Sequence, residues 1–530
     1  MLVDVRPTQR LRGPRQIDVT ACLGPILRVL CEDSVDLSRL RLVCDWIQYR
    51  DNFRDVIDIR PILAAAGNAG APPPDAAGPA GSAERLEIAI DLRRCVDDDC
   101  DARTREALQG HQQPDALPRR YLEDWRPTRQ SCIWGFNALY WQALSAWEAA
   151  TGQGYERALP GGQSDARNVD GVRELILELF RVWDELSARD ALPGELYVVE
   201  LGVGNGNQAK AWLDEFIALD RARGRDYYRR LHYIMGDYSP HVLRQAQQAV
   251  AGHPGKVSSL VLDATAPATT LGFLRQRAFL VYVSNVYDNL PSDEIAVIGG
   301  HPYLVEVRAY LPHRSVERLA RDASAGTAAL PGMVEKLLKL GPELASDALP
   351  RQLPTVSAAV DFWRTAWRAL RLEERYVPLE GLDRYEVSPG VTGEALRPLL
   401  EADGDIRMPV SNGAVAGFDD SLPLLHPRGR LVCHDLFVTH PHQFRTRFPG
   451  PGKYEGSVVN WVNGPLLQRL AARRGFDVDF TPFAHRQGSN ITTLTALSRD
   501  RIGGLPVAAA AQPRGRPMHT PPNRGVATTS

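Results

Sequence analysis

Apolar positions between Val172 and Ala496 fall into clusters that alternate between two periods. The run VRELILELFRVWDEL, from Val172, spaces its apolar residues at the 3.6-residue period of an amphipathic helix, and YVVELG beyond it is a compact strand run. The alternation continues: helix QAKAWLDEFIAL, strand LHYIMGD, helix SPHVLRQAQQAV, then strands SLVLDA and FLVYVSN. Such βαβα order predicts an α/β fold with a doubly wound, mainly parallel sheet.

The pattern breaks near Leu311 and resumes near His426, where LPLLHPRGRLVCHDL reads as a helix end, a turn and a strand. A helix around PLLQRLAARRGF and strands DVDFTPF and ITTLTAL follow. The intervening stretch predicts helices, and Phe362, Trp363, Ala366, Trp367 and Leu370 form an apolar stripe suited to core packing, with a lid over a pocket as the alternative. The expected division is a small module over 1–63, a linker over 64–83, and a helical, aromatic region over 84–165. A core over 166–310 and 425–500, a mostly helical insert over 311–424 and a tail over 501–530 complete it. The linker AAAGNAGAPPPDAAGPAGSA and the tail hold almost nothing whose burial would offset ordering.

Charge changes this picture little. Lys and Arg number 62 against 64 Asp and Glu, so no overall field favours nucleic acid or an anionic membrane. No apolar run approaches the roughly 20 residues of a spanning helix. The opening MLVDVRPTQRLRGPRQ has no apolar segment after it, and Asp4 and the lack of Ser weigh against a mitochondrial presequence. The seven cysteines are sparse and form no CxxC pair, which argues against a disulfide framework or zinc site and for a reducing cytoplasm. Cys95 and Cys100, flanking Asp97–Asp99, read as an exposed acidic turn.

Chemistry concentrates in Glu200-Leu201-Gly202-Val203-Gly204-Asn205-Gly206, directly between a strand and a helix. Glycines at alternate positions let backbone approach a ligand closely. A dinucleotide loop spaces them G-x-G-x-x-G to hold pyrophosphate. Here the third glycine comes one position early and Glu200 precedes the loop, which repels pyrophosphate and suits an ammonium and a sulfonium. S-adenosylmethionine (SAM) has both. Asp237 and Asp263 end the next two strands, placed for ribose hydroxyls and an adenine amino group, although each also reads as a helix cap or turn acid.

Asn285 and Asp288 in SNVYDNLP follow the fourth strand, where carbonyl and carboxylate acceptors orient an amine or guanidine. Asn285 is also a candidate cofactor contact. As structural alternatives, Asn285 is a turn residue and Asp288 a cap. Glu306 is a second acidic candidate on the next strand, and His434, beside Asp435, is a candidate general base. His440 and His442 have no third ligand in view, so no metal site is expected. Tyr140, Trp141 and Trp147 suit aromatic core packing, with capping of ligand as the alternative.

Together ELGVGNG, the two later acids and LLHPRGRLVCHDL resemble the class I SAM-dependent methyltransferases. Within them the chain is most similar to the MidA-like group, which includes a mitochondrial protein-arginine methyltransferase that assists complex I assembly. DYSPHVLRQAQ, SNVYDNLP followed by VEVRAYL, and RRGFDVDFTPFAHRQG carry that likeness, over about 155–310 and 425–497. The chain departs from the group at LPGGQSDARN, where a G-D-F-x-T motif is absent, and at Asn285-Val286, where the group has Asn-Glu. The resemblance implies a seven-stranded Rossmann-like core, SAM as cofactor, and methyl transfer to a nitrogen or oxygen of a protein side chain or sizeable metabolite. A non-catalytic SAM-binding scaffold is the alternative. The implied partner is the methyl acceptor, with no nucleic acid or membrane, and a homodimer is left open.

Overall fold

The computed structural model describes residues 2–5, 19–33, 35–45, 47, 51–64, 83–95, 99–113, 119–152, 154, 169–402, 404–445, 450–483 and 490–499. The expected tail, nearly all of the expected linker, LPGGQSDARN and the RQG end of the last motif lie outside the described residues.

Seven strands form the sheet that the βα alternation predicts: β1 Leu196–Leu201, β2 Leu231–Asp237, β3 Val257–Val261, β4 Ala278–Ser284, β5 Leu425–Asp435, β6 Phe476–Pro482 and β7 Thr492–Ser498. Their order is β6-β7-β5-β4-β1-β2-β3. Pairing is parallel from β5 to β3, and β7 runs antiparallel to both of its neighbours. Four helices matter for the site: α1 Cys132–Gln142, α2 Val169–Ser187, α3 Asn207–Ala222 and α4 Pro240–Ala249. α2 buries Ile176, Phe180 and Trp183, and Phe180 meets Phe216 of α3 edge to face at 5.1 Å. α4 starts where its sequence dictates: Ser239 caps it by accepting from the Val242 N–H, and Pro240 occupies the first turn.

The expectation of one sheet is corrected by a second, mixed sheet of ten strands. It runs in the order Leu2–Val5, Leu40–Asp45, Ala83–Asp91, Ile57–Leu63, Arg371–Pro378, His301–Leu311, Glu294–Ile298 and Ile406–Pro409, and two short strands pair onto His301–Leu311. The N-terminal module and part of the insert therefore share one sheet. VEVRAYL, expected in the core, belongs to it too. Within the insert the Phe362, Trp363 and Trp367 stripe is core, with Trp363 packed edge to face on Trp147 at 4.7 Å and Trp367 on Phe53 at 5.3 Å.

Charged residues on these strands are buried as an ion network. Glu374 accepts from Arg54 at 2.8 Å and from Arg407 at 2.8 Å, and lies 2.8 Å from Arg60. Arg60 also reaches Glu87 at 2.9 Å, and the Tyr376 hydroxyl donates to Glu87 at 2.6 Å. Burial pushes the Glu374 carboxyl up, but the three guanidiniums prevail and hold it well below the usual carboxylate range. Cys95 and Cys100 are a further correction: they are joined in a disulfide that links the end of helix Leu92–Cys95 to the start of helix Cys100–Gln112, with Cα atoms 6.2 Å apart. Among the described residues no helix is long and apolar enough to cross a membrane.

Removing the shared carboxylate leaves three buried guanidiniums facing one another. Glu374→Gln is expected to cost about 3–5 kcal/mol of stability, measured by urea denaturation. A wild-type midpoint contradicts this role for the network.

Candidate functional site

β1 is a central strand, paired on one side with β4 and on the other with β2, so the loops after all three emerge at one edge. The loop after β1 has positive φ at Gly202, Gly204 and Gly206, of 75°, 59° and 79°. Such backbone is costly for residues with a side chain. Close approach adds a second constraint: a Cβ on Gly202 would lie 2.3 Å from Val286 Cγ2, and one on Gly206 2.5 Å from Ala246 Cα in α4. The Gly202 and Val203 N–H groups donate to the Gly236 carbonyl at 2.8 and 3.2 Å, and Gly206 leads into α3 as its N-cap.

A cavity of about 360 Å³ opens at this edge, and Glu200, Gly202, Gly204, Asp237, Asp263 and Asn285 all line it. These side chains come from the ends of β1, β2, β3 and β4, so register rather than sequence proximity brings them together. Asp237 accepts from the Gly204 N–H at 3.2 Å and the Ser239 N–H at 2.9 Å, which ties the glycine loop to β2. Asp263 accepts from the Thr265 N–H and hydroxyl, each at 2.8 Å. Glu200 is only 3% exposed and accepts from the Tyr233 hydroxyl at 2.6 Å. Burial pushes its carboxyl up to about 8, and the same cause lifts Asp237 to about 6.

The remaining sequence candidates lie elsewhere. Gly206 shapes the start of α3 and is not in the cavity lining. Asp288 is fully buried behind the wall, beside Asp435. Glu306 is on the second sheet, where Arg375 donates to it at 2.6 and 2.8 Å. His434 packs between the Tyr282 and Phe483 rings, at 5.4 and 4.8 Å, and its Nδ1 is 2.8 Å from the Thr493 hydroxyl. Neither Glu306 nor His434 lines the cavity.

Of the opposite wall, the sequence offered only Trp141, with capping of ligand as the alternative to core packing. Trp134, Asn137, Ala138 and Trp141 of α1 line the cavity at helical spacing, as do Asn289, Leu290 and Pro291 beyond β4. The helix period was visible, but which of its faces meets a cavity depends on packing against the second sheet. Trp141 is in the lining, whereas Tyr140 and Trp147 are core residues. Gln208 Oε1, Asn285 Oδ1 and Asn289 Oδ1, all in lining residues, are buried without a hydrogen-bond partner.

No family and no curated protein matches the chain. Solved structures do. A protein from Burkholderia thailandensis bound to S-adenosyl-homocysteine is 13% identical, over 74% of this chain and 91% of that one, with a TM-score of 0.38. The CcbJ methyltransferase from Streptomyces caelestis is 11% identical, over 68% and 98%, with a TM-score of 0.30. The magnesium protoporphyrin IX methyltransferase from Synechocystis, with bound SAH, is 12% identical, over 68% and 96%, with a TM-score of 0.25. At these values the likeness assigns neither activity nor ligand.

The Gly202 contact is testable alone. Gly202→Ala is expected to destabilise the protein by about 1–3 kcal/mol through positive φ and the Val286 clash, and adding Val286→Ala is expected to recover part of that loss. Thermal denaturation of both variants checks it, and strictly additive losses contradict the contact.

Proposed function

We propose that the chain is a class I SAM-dependent methyltransferase acting on a nitrogen or oxygen acceptor. The observation that carries this reading is the convergence of the glycine loop, Glu200, Asp237 and Asp263 on one cavity at the end of the parallel strands. Open α/β sheets bind their ligands at that edge. The donor set fits the ligand's parts: backbone with positive φ for close approach, Glu200 for an α-ammonium, Asp237 for a ribose diol, Asp263 for an adenine amino group.

When bound, SAM supplies an electrophilic methyl group. What the protein must add is an acceptor held in line and kept from water. Asn285 sits at the turn after β4 with φ of 52°, a left-handed conformation that Asn adopts more readily than other residues with a side chain, and its N–H donates to the His434 carbonyl at 2.9 Å. Its unpartnered Oδ1 is suited to an N–H donor. Trp134, Trp141 and Leu290 give the wall that excludes solvent. Asp288, turned into the interior beside Asp435, acts in this reading as a positioning group.

Calorimetric titration with S-adenosylhomocysteine tests the reading. Burial keeps Glu200 protonated up to about pH 8, and a bound ammonium favours its ionised form. Binding at neutral pH is therefore expected to release protons, and affinity to rise as pH approaches 8. Glu200→Gln should weaken binding and remove the proton release. Absence of binding, or binding of NADH in its place, contradicts the proposal. Binding without transfer of label from methyl-labelled SAM to any acceptor favours the scaffold.

A further inference from the structure

Among the side-chain carbonyls that α1 and the segment after β4 present to the cavity, two are without a partner, Asn285 Oδ1 at the start of the turn and Asn289 Oδ1 next to the α1 wall. Trp134 Nε1 donates to the Thr128 carbonyl at 2.9 Å. Both ends of the Asn137 amide are taken: Nδ2 donates to the Asn289 carbonyl at 2.9 Å and Oδ1 accepts from the Val458 N–H at 2.9 Å. Asn289 is 9% exposed, and its Nδ2 donates to Asp288 Oδ1 at 2.7 Å. Asn289 Oδ1 has no partner.

The orientation of that amide is determined by the groups behind it. Asp435 Oδ2 accepts from the backbone N–H groups of Val286, Tyr287 and Asp288 at 3.2, 2.8 and 3.3 Å, and its Oδ1 accepts from Leu436 N–H at 2.8 Å. Asp435 is thus the carboxylate of the pair. Burial, then the Asp435 charge beside it, pushes the Asp288 carboxyl up, which favours a protonated Asp288 with its free Oδ2 available to donate towards Asp435. Its other oxygen remains an acceptor and takes Asn289 Nδ2. Flipping the Asn289 amide would set oxygen against oxygen, so the carbonyl end is the one left unpaired. The other lining residues of α1 and of this segment include Trp134, Ala138, Trp141, Leu290 and Pro291, two of them indoles and all largely apolar.

We propose that Asn289 binds the methyl acceptor, and that this acceptor is an uncharged aromatic group of the phenol, aniline or indole class whose O–H or N–H donates to Asn289 Oδ1. The assignment of that ligand as a methyl acceptor rests on the methyltransferase reading. A guanidinium or ammonium acceptor fits this wall poorly, because Asp288, the nearest carboxyl behind it, is neutral and faces Asp435. Asp288 and Asp435 are positioning residues that fix the amide.

The test uses the whole protein, with and without saturating S-adenosylhomocysteine, and three probes of similar shape: phenol, anisole and toluene. Tryptophan fluorescence and ligand-observed NMR read their binding. A buried acceptor discriminates strongly against a ligand that lacks the donor, and phenol is expected to bind at least about tenfold more tightly than anisole or toluene. Asn289→Leu, or Asn289→Ser should the first variant not fold, is expected to lose the preference. Asp288→Asn mimics the protonated carboxyl, donating to Asp435 and accepting from Asn289, and is expected to retain it. Equal affinities, no binding of any probe, or an undiminished preference in a folded Asn289 variant overturns the proposal. Phenol preference in a protein that does not bind S-adenosylhomocysteine supports the pocket and overturns the methyltransferase reading. Binding of S-adenosylhomocysteine without phenol preference does the reverse.

Discussion

A single buried carboxylate, Asp435 at the end of β5, holds the structure's two halves in register. It is 0% exposed and gathers the N–H groups of Val286, Tyr287 and Asp288, the turn by which the chain leaves β4 and passes to strand Glu294–Ile298 of the second sheet. Charge-assisted bonds of this kind are each worth about 1.5–3 kcal/mol. Because the turn is clamped from inside, Asn285 and Asn289 reach the cavity from a rigid base. Asp288 completes the arrangement from the same turn: its carbonyl accepts from the Asn460 N–H at 2.9 Å, and its side chain meets Asp435.

The two sheets use buried charge in opposite ways. In the second sheet Glu374 is surrounded by guanidiniums and stays ionised, so the network ties its strands together. At the end of the first sheet no cation faces Glu200 or Asp237 among their hydrogen-bond partners, and burial lifts both carboxyls instead. An unpaired buried acid is poised for a cationic ligand, whose arrival recovers the attraction that the protein itself does not supply.

Local features were legible in the sequence. The βα alternation located all seven strands of the first sheet, since each period is set within about ten residues. The glycine loop was legible for the same reason, and so was the placement of Glu200, Asp237 and Asp263, which lie at or just beyond the ends of three successive strands and line one cavity through parallel pairing. What was hidden depends on distant partners. Tyr376 pairs with Ile62, and Glu374 meets Arg54 and Arg60, across more than three hundred positions of chain, so no local pattern announces the second sheet or its ion network. Asp288 drew attention because it follows the fourth strand, where a carboxylate acceptor can orient an amine or guanidine. Only the position of Asp435, read in the sequence merely as the neighbour of His434, shows that Asp288 faces inward. The wall of α1 was hidden because helical periodicity identifies a buried face without saying what lies against it.

A crystal structure of the protein with S-adenosylhomocysteine tests the central claim most directly. The account predicts the amino-acid end against Gly202–Gly204 near Glu200, the ribose hydroxyls on Asp237 and the adenine beside Asp263, with the sulfur facing the wall that carries Asn285 and Asn289. A ligand bound elsewhere, or seated in this cavity without touching Asp237 and the glycine loop, would contradict it.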